Sequence, residues 1–132
     1  MNTLARAVRF NVVGAGGVAV QLGALWLLAD VARISYLIAT PIAVGLAVAH
    51  NFLWHRRWTW EDRAGAIGVA AAFVRFAAAN GAVSLAGNLG VMATLVSGAH
   101  VTPVVANGVA IGVCGLLNFW LGDTLVFRRD AT

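Results

Sequence analysis

The sequence predicts an all-α membrane protein: four transmembrane helices forming two parallel two-helix repeats, with both the N- and C-termini cytoplasmic. Three observations predict it. The first is composition. Of 132 residues, 61% are hydrophobic and only 11% charged, and the mean hydropathy is +0.84. Soluble domains carry about a quarter charged residues, and a soluble fold this apolar would expose large greasy patches to water. That excludes most soluble enzymes, disordered tails and DNA-binding domains. The second observation is four apolar runs of about 20 residues, the length that spans a bilayer core. The third is the placement of the arginines, which gather at the ends of those runs.

The first run is Phe10 to Ala29, closed by Asp30 and Arg33. Arg6 and Arg9 before it give the look of a secretory leader, but the run is long and no clean small-x-small cleavage site follows, so it reads as a span. The second run is Leu37 to Trp54, closed by His55-Arg56-Arg57. Ser35 and Pro41 mark its start loosely. Residues 66–98 form a long third run interrupted by Arg75. Residues 66–74 read as an approach segment at the interface, and Phe76 to Val96 as the span. The fourth span runs from Pro103 to Leu121, with Thr102 as N-cap and Pro103 at the first helical position. The runs are rich in Ala, Gly and Leu and lack the apolar/polar alternation of barrel strands. Together they make a single transmembrane domain over residues 1–132.

Arginine counting sets the topology. Arg6 and Arg9 precede span one, Arg56, Arg57, Arg63 and Arg75 lie between spans two and three, and Arg128 and Arg129 follow span four. Arg33 alone lies on the other side, so both termini are expected in the cytoplasm. Trp54, Trp58, Trp60 and Trp120 cluster near the cytoplasmic ends, and Trp26 and Tyr36 flank the outer loop, as interfacial aromatic belts. A pI near 11.1 invites a nucleic-acid reading, but the arginines form no long stripe, and no nucleic acid is expected as a partner. The single cysteine, Cys114, lies inside span four and reads as a small core residue.

The halves repeat, at about residues 9–60 and 75–127. Arg9-Phe10 opens one and Arg75-Phe76 the other. Spans two and four align without gaps at an offset of 67, through Asn51-Phe52 with Asn118-Phe119, to Trp60 with Phe127. Each half has two spans and enters from the same side. That is a parallel repeat about an axis along the membrane normal, an arrangement from which transporters are built, with the substrate path at the repeat interface.

Polar residues inside spans face the bundle interior or a cavity. The candidates are Gln21, His50, Asn51, Asn80, Ser84, Asn88, Asn107 and Asn118. Asn80, Ser84 and Asn88 step by four and share one helix face. Any one of them alone reads equally as glue between helices; as a set they argue for a lined groove. At the cytoplasmic ends Arg9, Arg56, Arg57 and Arg75 have guanidinium forks suited to a phosphate. Arg9 and Arg75 stand out because they are repeat-equivalent and each abuts a span. Arg6, Arg63, Arg128 and Arg129 read as topology signals that snorkel to lipid headgroups. Asp123 takes the place that Arg56 has in the first half, and is expected to pair with Arg56 or Arg57. Gly108 and Gly112 form a GxxxG on span four, which with Gly14, Gly16 and Gly17 in span one lets helices approach closely. No GK[ST] follows the glycines, so they are no phosphate loop. No metal, cofactor, catalytic triad or carboxylate pair is expected, and the chain is read as no enzyme.

These residues bear a resemblance. Arg9-Phe10 with Gly14, Asn51-Phe52 followed by Arg56-Arg57-Trp58-Thr59-Trp60, then Arg75-Phe76, and Asn118-Phe119 ending in Val126-Phe127 resemble GtrA-like membrane proteins over nearly the whole chain. Gly122-Asp123-Thr124-Leu125 replaces the basic and Trp residues in the second copy. The resemblance implies a multi-pass protein of a bacterial inner membrane that flips a polyprenyl-phosphate-linked monosaccharide from the cytoplasmic to the outer leaflet, for a glycosyltransferase to use in cell-surface polysaccharide glycosylation. On that basis Arg9, Arg57 and Arg75 capture the phosphate, Asn51 and Asn118 bind sugar hydroxyls or phosphate oxygens, and Gln21, Asn88 and Asn107 offer hydrogen bonds deeper in the groove. Transport follows a substrate or ion gradient. Four short spans enclose little space, which favours a homodimer among membrane lipids. The alternative is a membrane scaffold that recruits or stabilises the glycosyltransferase. A cation exporter needs a membrane-embedded acid, and Asp30, Glu61, Asp62, Asp123 and Asp130 all lie at ends or in loops.

Overall fold

The computed structural model describes residues 2–65 and 67–128; Ala66, Arg129 and Asp130, named above, lie outside the described residues. The chain divides into two compact units, Met1–Ala64 and Gly65–Thr132, each a helical hairpin. In the first, α1 (Thr3–Leu25) packs on α2 (Tyr36–Trp54); in the second, α3 (Val69–Met92) packs on α4 (Pro103–Leu121). Among the described residues there is no strand, and all four helices are long and apolar enough to cross a membrane. Leu4, Leu37, Leu85 and Leu116 are each at least two-thirds exposed, as side chains facing lipid would be.

Every helix ends in a widened, π-helical turn: Trp26–Val31, His55–Thr59, Ala93–Gly98 and Gly122–Val126. The closing bonds run five residues back, as from Trp60 N–H to His55 O (2.8 Å) and Phe127 N–H to Gly122 O (2.9 Å). Spans two and four therefore continue helically past the expected ends at Trp54 and Leu121. The third helix begins at Val69, so residues 69–74 belong to it and are no separate approach segment. The first helix also starts early, at Thr3 and not Phe10, whereas the second and fourth start where expected: Ser35 Oγ accepts from Leu37 N–H at 3.4 Å, and Thr102 precedes Pro103.

Both hairpins turn on a non-glycine residue in the left-handed region, Arg33 (φ 59°) and His100 (φ 56°). Such a residue costs about 1–2 kcal/mol. In return the next amide reaches back into the widened turn, Ile34 N–H to Leu28 O at 2.9 Å and Val101 N–H to Leu95 O at 2.8 Å, satisfying helix-end carbonyls.

Small residues hold each hairpin together, but among the expected glycines only Gly16 and Gly17 take part. Ala39, Ala43 and Ala47 on α2 are buried, and so are Ala106, Ala110 and Cys114 on α4. Steps of four align them as a small-xxx-small stripe on which the partner helix lies closely. Gly108 and Gly112 sit two positions round from that stripe, on the opposite face; they are exposed, and a Cβ on either would meet nothing within 4 Å. Gly14 is likewise open, whereas Gly16 lies against His50 and Gly17 against Asn51. Cys114 is a core residue as expected. Its Sγ would stand 2.5 Å from a Cβ placed on Gly87. Gly87→Ala is therefore expected to lower stability by about 1–3 kcal/mol, as overpacking does. Adding Cys114→Ala should recover most of the loss, as measured by thermal unfolding in detergent micelles.

Candidate functional site

In the first unit the arginine-bearing end is built on the widened turn after α2. The turn swings Trp60 inward, where it is completely buried. Its ring meets Phe10 edge-on at 6.0 Å and His55 at 5.3 Å, while Phe10 and His55 stack at 4.7 Å. His55 Nδ1 shares a hydrogen bond of 3.0 Å with Thr59 Oγ1. Trp60 is thus a core residue and not part of an interfacial belt. Trp26, Trp54 and Trp120 are more than half exposed, as belt residues would be.

One turn further, the short helix Glu61–Arg63 presents two acids to α1. Arg6 Nη2 donates to Asp62 Oδ2 at 3.0 Å, and the Arg6 side chain is only 4% exposed. Arg6 therefore does not snorkel to lipid, because an acid reaches it inside the unit. Arg63 is also largely buried, its Nε 4.0 Å from the same carboxylate. Arg9 Nη1 donates to Glu61 Oε1 at 2.9 Å and to the Trp58 carbonyl at 2.7 Å. Its guanidinium lies 5.3 Å from the Trp58 ring centroid, within cation–π range. Counting arginines alone misses these acids; the signal available was Glu61-Asp62 beside the basic run, within reach of α1.

Arg57 is exposed and lines an open pocket of about 410 Å³ with Gly16, His50, Trp54 and Trp58. Asn51 lies beside it, packed on Gly17, and its Oδ1 accepts from His50 Nδ1 at 3.2 Å. Arg56 and Gln21 are half-buried and line neither this pocket nor the Arg9 cluster.

In the second unit Phe76, Val126 and Phe127 are buried where Phe10, Thr59 and Trp60 are in the first, and the buried Gly122 stands at the position of His55. The missing ring leaves a cavity of about 10 Å³ lined by Phe76, Asn80, Asn118 and Gly122. Asn118 Oδ1 is buried there without a hydrogen-bond partner. Asn88 turns to its own helix, Nδ2 donating to Ser84 O at 2.7 Å. Asp123 is half-buried in the widened turn at the position of Arg56. Arg75 lines an open pocket of about 660 Å³ with Arg128, over Ile67, Ala78, Ala79, Leu125 and Val126. The predicted residues thus fall into separate groups, with Arg57 and Asn51 in one unit and Arg75 and Asn118 in the other.

The family model for the GtrA/DPMS transmembrane domain matches residues 9–127. The chain belongs to that family. As a family member with four bilayer-length helices, it is a multi-pass membrane protein. A dolichol-phosphate mannosyltransferase of Pyrococcus furiosus is 39% identical over 79 residues, or 59% of this chain. That stretch spans only 22% of the relative's length.

Proposed function

We propose that this protein translocates a polyprenyl-phosphate-linked monosaccharide from the cytoplasmic to the outer leaflet of a bacterial inner membrane, for cell-surface polysaccharide glycosylation, and catalyses no reaction itself. The observation that carries this reading is the pair of arginine-lined pockets at the ends of otherwise apolar helices, in a chain similar to part of a dolichol-phosphate mannosyltransferase. Such a substrate has an apolar tail, a phosphate and a sugar. The tail stays in lipid. A bare charge at the bilayer centre costs at least about 2.5–3.5 kcal/mol, so a flippase needs only a polar route that lowers that barrier. Arg57 and Arg75 receive the phosphate in this account, Arg9 shapes the entrance through Trp58, and Asn51, Asn118, Gln21 and Asn88 offer hydrogen bonds along the way. In this reading both termini lie in the cytoplasm, which the arginine excess supports, with the two hairpins as parallel repeats and a homodimer as the working unit.

One observation favours a second reading, a scaffold that holds a glycosyltransferase at the membrane: the matched relative is itself a transferase, and the similar stretch is a minor part of it. Surface glycosylation in cells separates the two. With membrane levels verified, Arg57→Ala and Asn118→Ala should each lower glycosylation at least tenfold under the transport reading. Full glycosylation in both would select the scaffold.

A further inference from the structure

The two units treat their arginines in opposite ways. In the first, Arg9 is neutralised by Glu61 at 2.9 Å. Carrying the repeat one residue past Trp60 and Phe127 aligns Glu61 with Arg128, while Arg9 aligns with Arg75. The second unit thus replaces an Arg–Glu pair with two arginines. Both are exposed and line one pocket, and among the described residues no carboxylate lies within ion-pair distance of either. Asp123, the one acid of this unit among the described residues, does not line the pocket. Asp62 in turn aligns with Arg129, so the sequence exchanges both acids for cations.

Two guanidinium groups facing one cavity repel each other unless an anion stands between them, and a phosphate offers oxygens to both forks. Among the described residues the rest of the lining is aliphatic, so the pocket sets charge beside apolar surface. Its volume of about 660 Å³ falls in the range of small-ligand sites.

We propose that the pocket between Arg75 and Arg128 in the second unit is a phosphate-group site, taking a phosphate ester with an attached hydrocarbon chain, and that the first unit's Arg9 is a structural counterpart held by Glu61. This deepens the transport reading, and rests on it, by assigning the group that captures the phosphate and by adding Arg128.

The test is equilibrium binding to the full chain in phosphatidylcholine nanodiscs, by calorimetry. Farnesyl phosphate is the probe, farnesol the uncharged control and inorganic phosphate the free-anion arm. Farnesyl phosphate should bind, and farnesol at least tenfold more weakly. Arg75→Gln and Arg128→Gln should each weaken binding at least tenfold. Arg128→Glu restores the acid of the first unit, so it should abolish binding while the melting temperature holds or rises. Glu61→Gln should leave binding within twofold. Inorganic phosphate binding as tightly as the ester would support the anion site and identify free phosphate as its ligand. The site is overturned if Arg75→Gln and Arg128→Gln, with helicity intact, bind within twofold of the unaltered protein, or if farnesol binds as tightly as its phosphate. Binding and transport fail separately: transport surviving in a binding-dead Arg128→Glu protein removes this site alone, and binding without transport removes the flippase alone.

Discussion

Trp60→Ala is expected to lower stability by about 3–5 kcal/mol, the range for emptying a buried aromatic site. Trp60 is fully buried and packs edge-on against both Phe10 and His55. Its removal leaves the Phe10–His55 stack open on one side and loosens the turn that carries Glu61 and Asp62. Trp60→Phe, the residue type that stands at the equivalent position 127, should cost far less. Trp54→Ala gives the control, since that side chain is half exposed. Unfolding in mixed micelles on titration with dodecyl sulfate would rank the three. A Trp60→Ala protein as stable as Trp54→Ala would contradict the packing described.

Asp62→Ala should cost about 1.5–3 kcal/mol, because it removes the acid from a charge-assisted hydrogen bond to a buried guanidinium. The guanidinium is that of Arg6, 4% exposed in its side chain and ion-paired at 3.0 Å with Asp62, which is 35% exposed. Glu61→Ala removes a pair whose members are 29% and 55% exposed, so its cost should stay under about 1 kcal/mol. The two acids are neighbours in sequence, so the contrast isolates burial from charge. The same unfolding titration reads it, and equal losses for both would show that burial of the arginine does not set the cost.

The fold class was legible because membrane solvent imposes coarse rules. A run such as Phe10 to Ala29 has few other uses, and Thr102-Pro103 marks a helix start by local chemistry alone. The widened turns were not legible. A π-helical turn differs from an α-helical one by a single residue in the hydrogen-bond ladder, and no residue pattern at His55–Thr59 or Gly122–Val126 announces it. Yet that residue turns Trp60 inward, away from the expected belt. The helix contact was half legible: small residues were expected, but Gly108 and Gly112 drew attention from Ala106, Ala110 and Cys114, which have the same spacing on the buried face. For the site, apolar context pointed to Arg9 and Arg75 alike. Whether an arginine is open or neutralised depends on an acid some 50 residues away in sequence, as Glu61 is from Arg9, and counting arginines cannot register that.

The most direct measurement is translocation itself. The purified protein is reconstituted in liposomes with a polyprenyl-phosphate-linked monosaccharide in both leaflets, and the fraction open to an impermeant sugar-oxidising reagent is followed over time. Empty liposomes should stop near half, the share of the outer leaflet. Liposomes carrying the protein should pass half and approach completion, and Arg75→Ala protein of verified helicity should stop where empty liposomes do. Unaltered, folded protein that stops at half across several sugars would contradict the account.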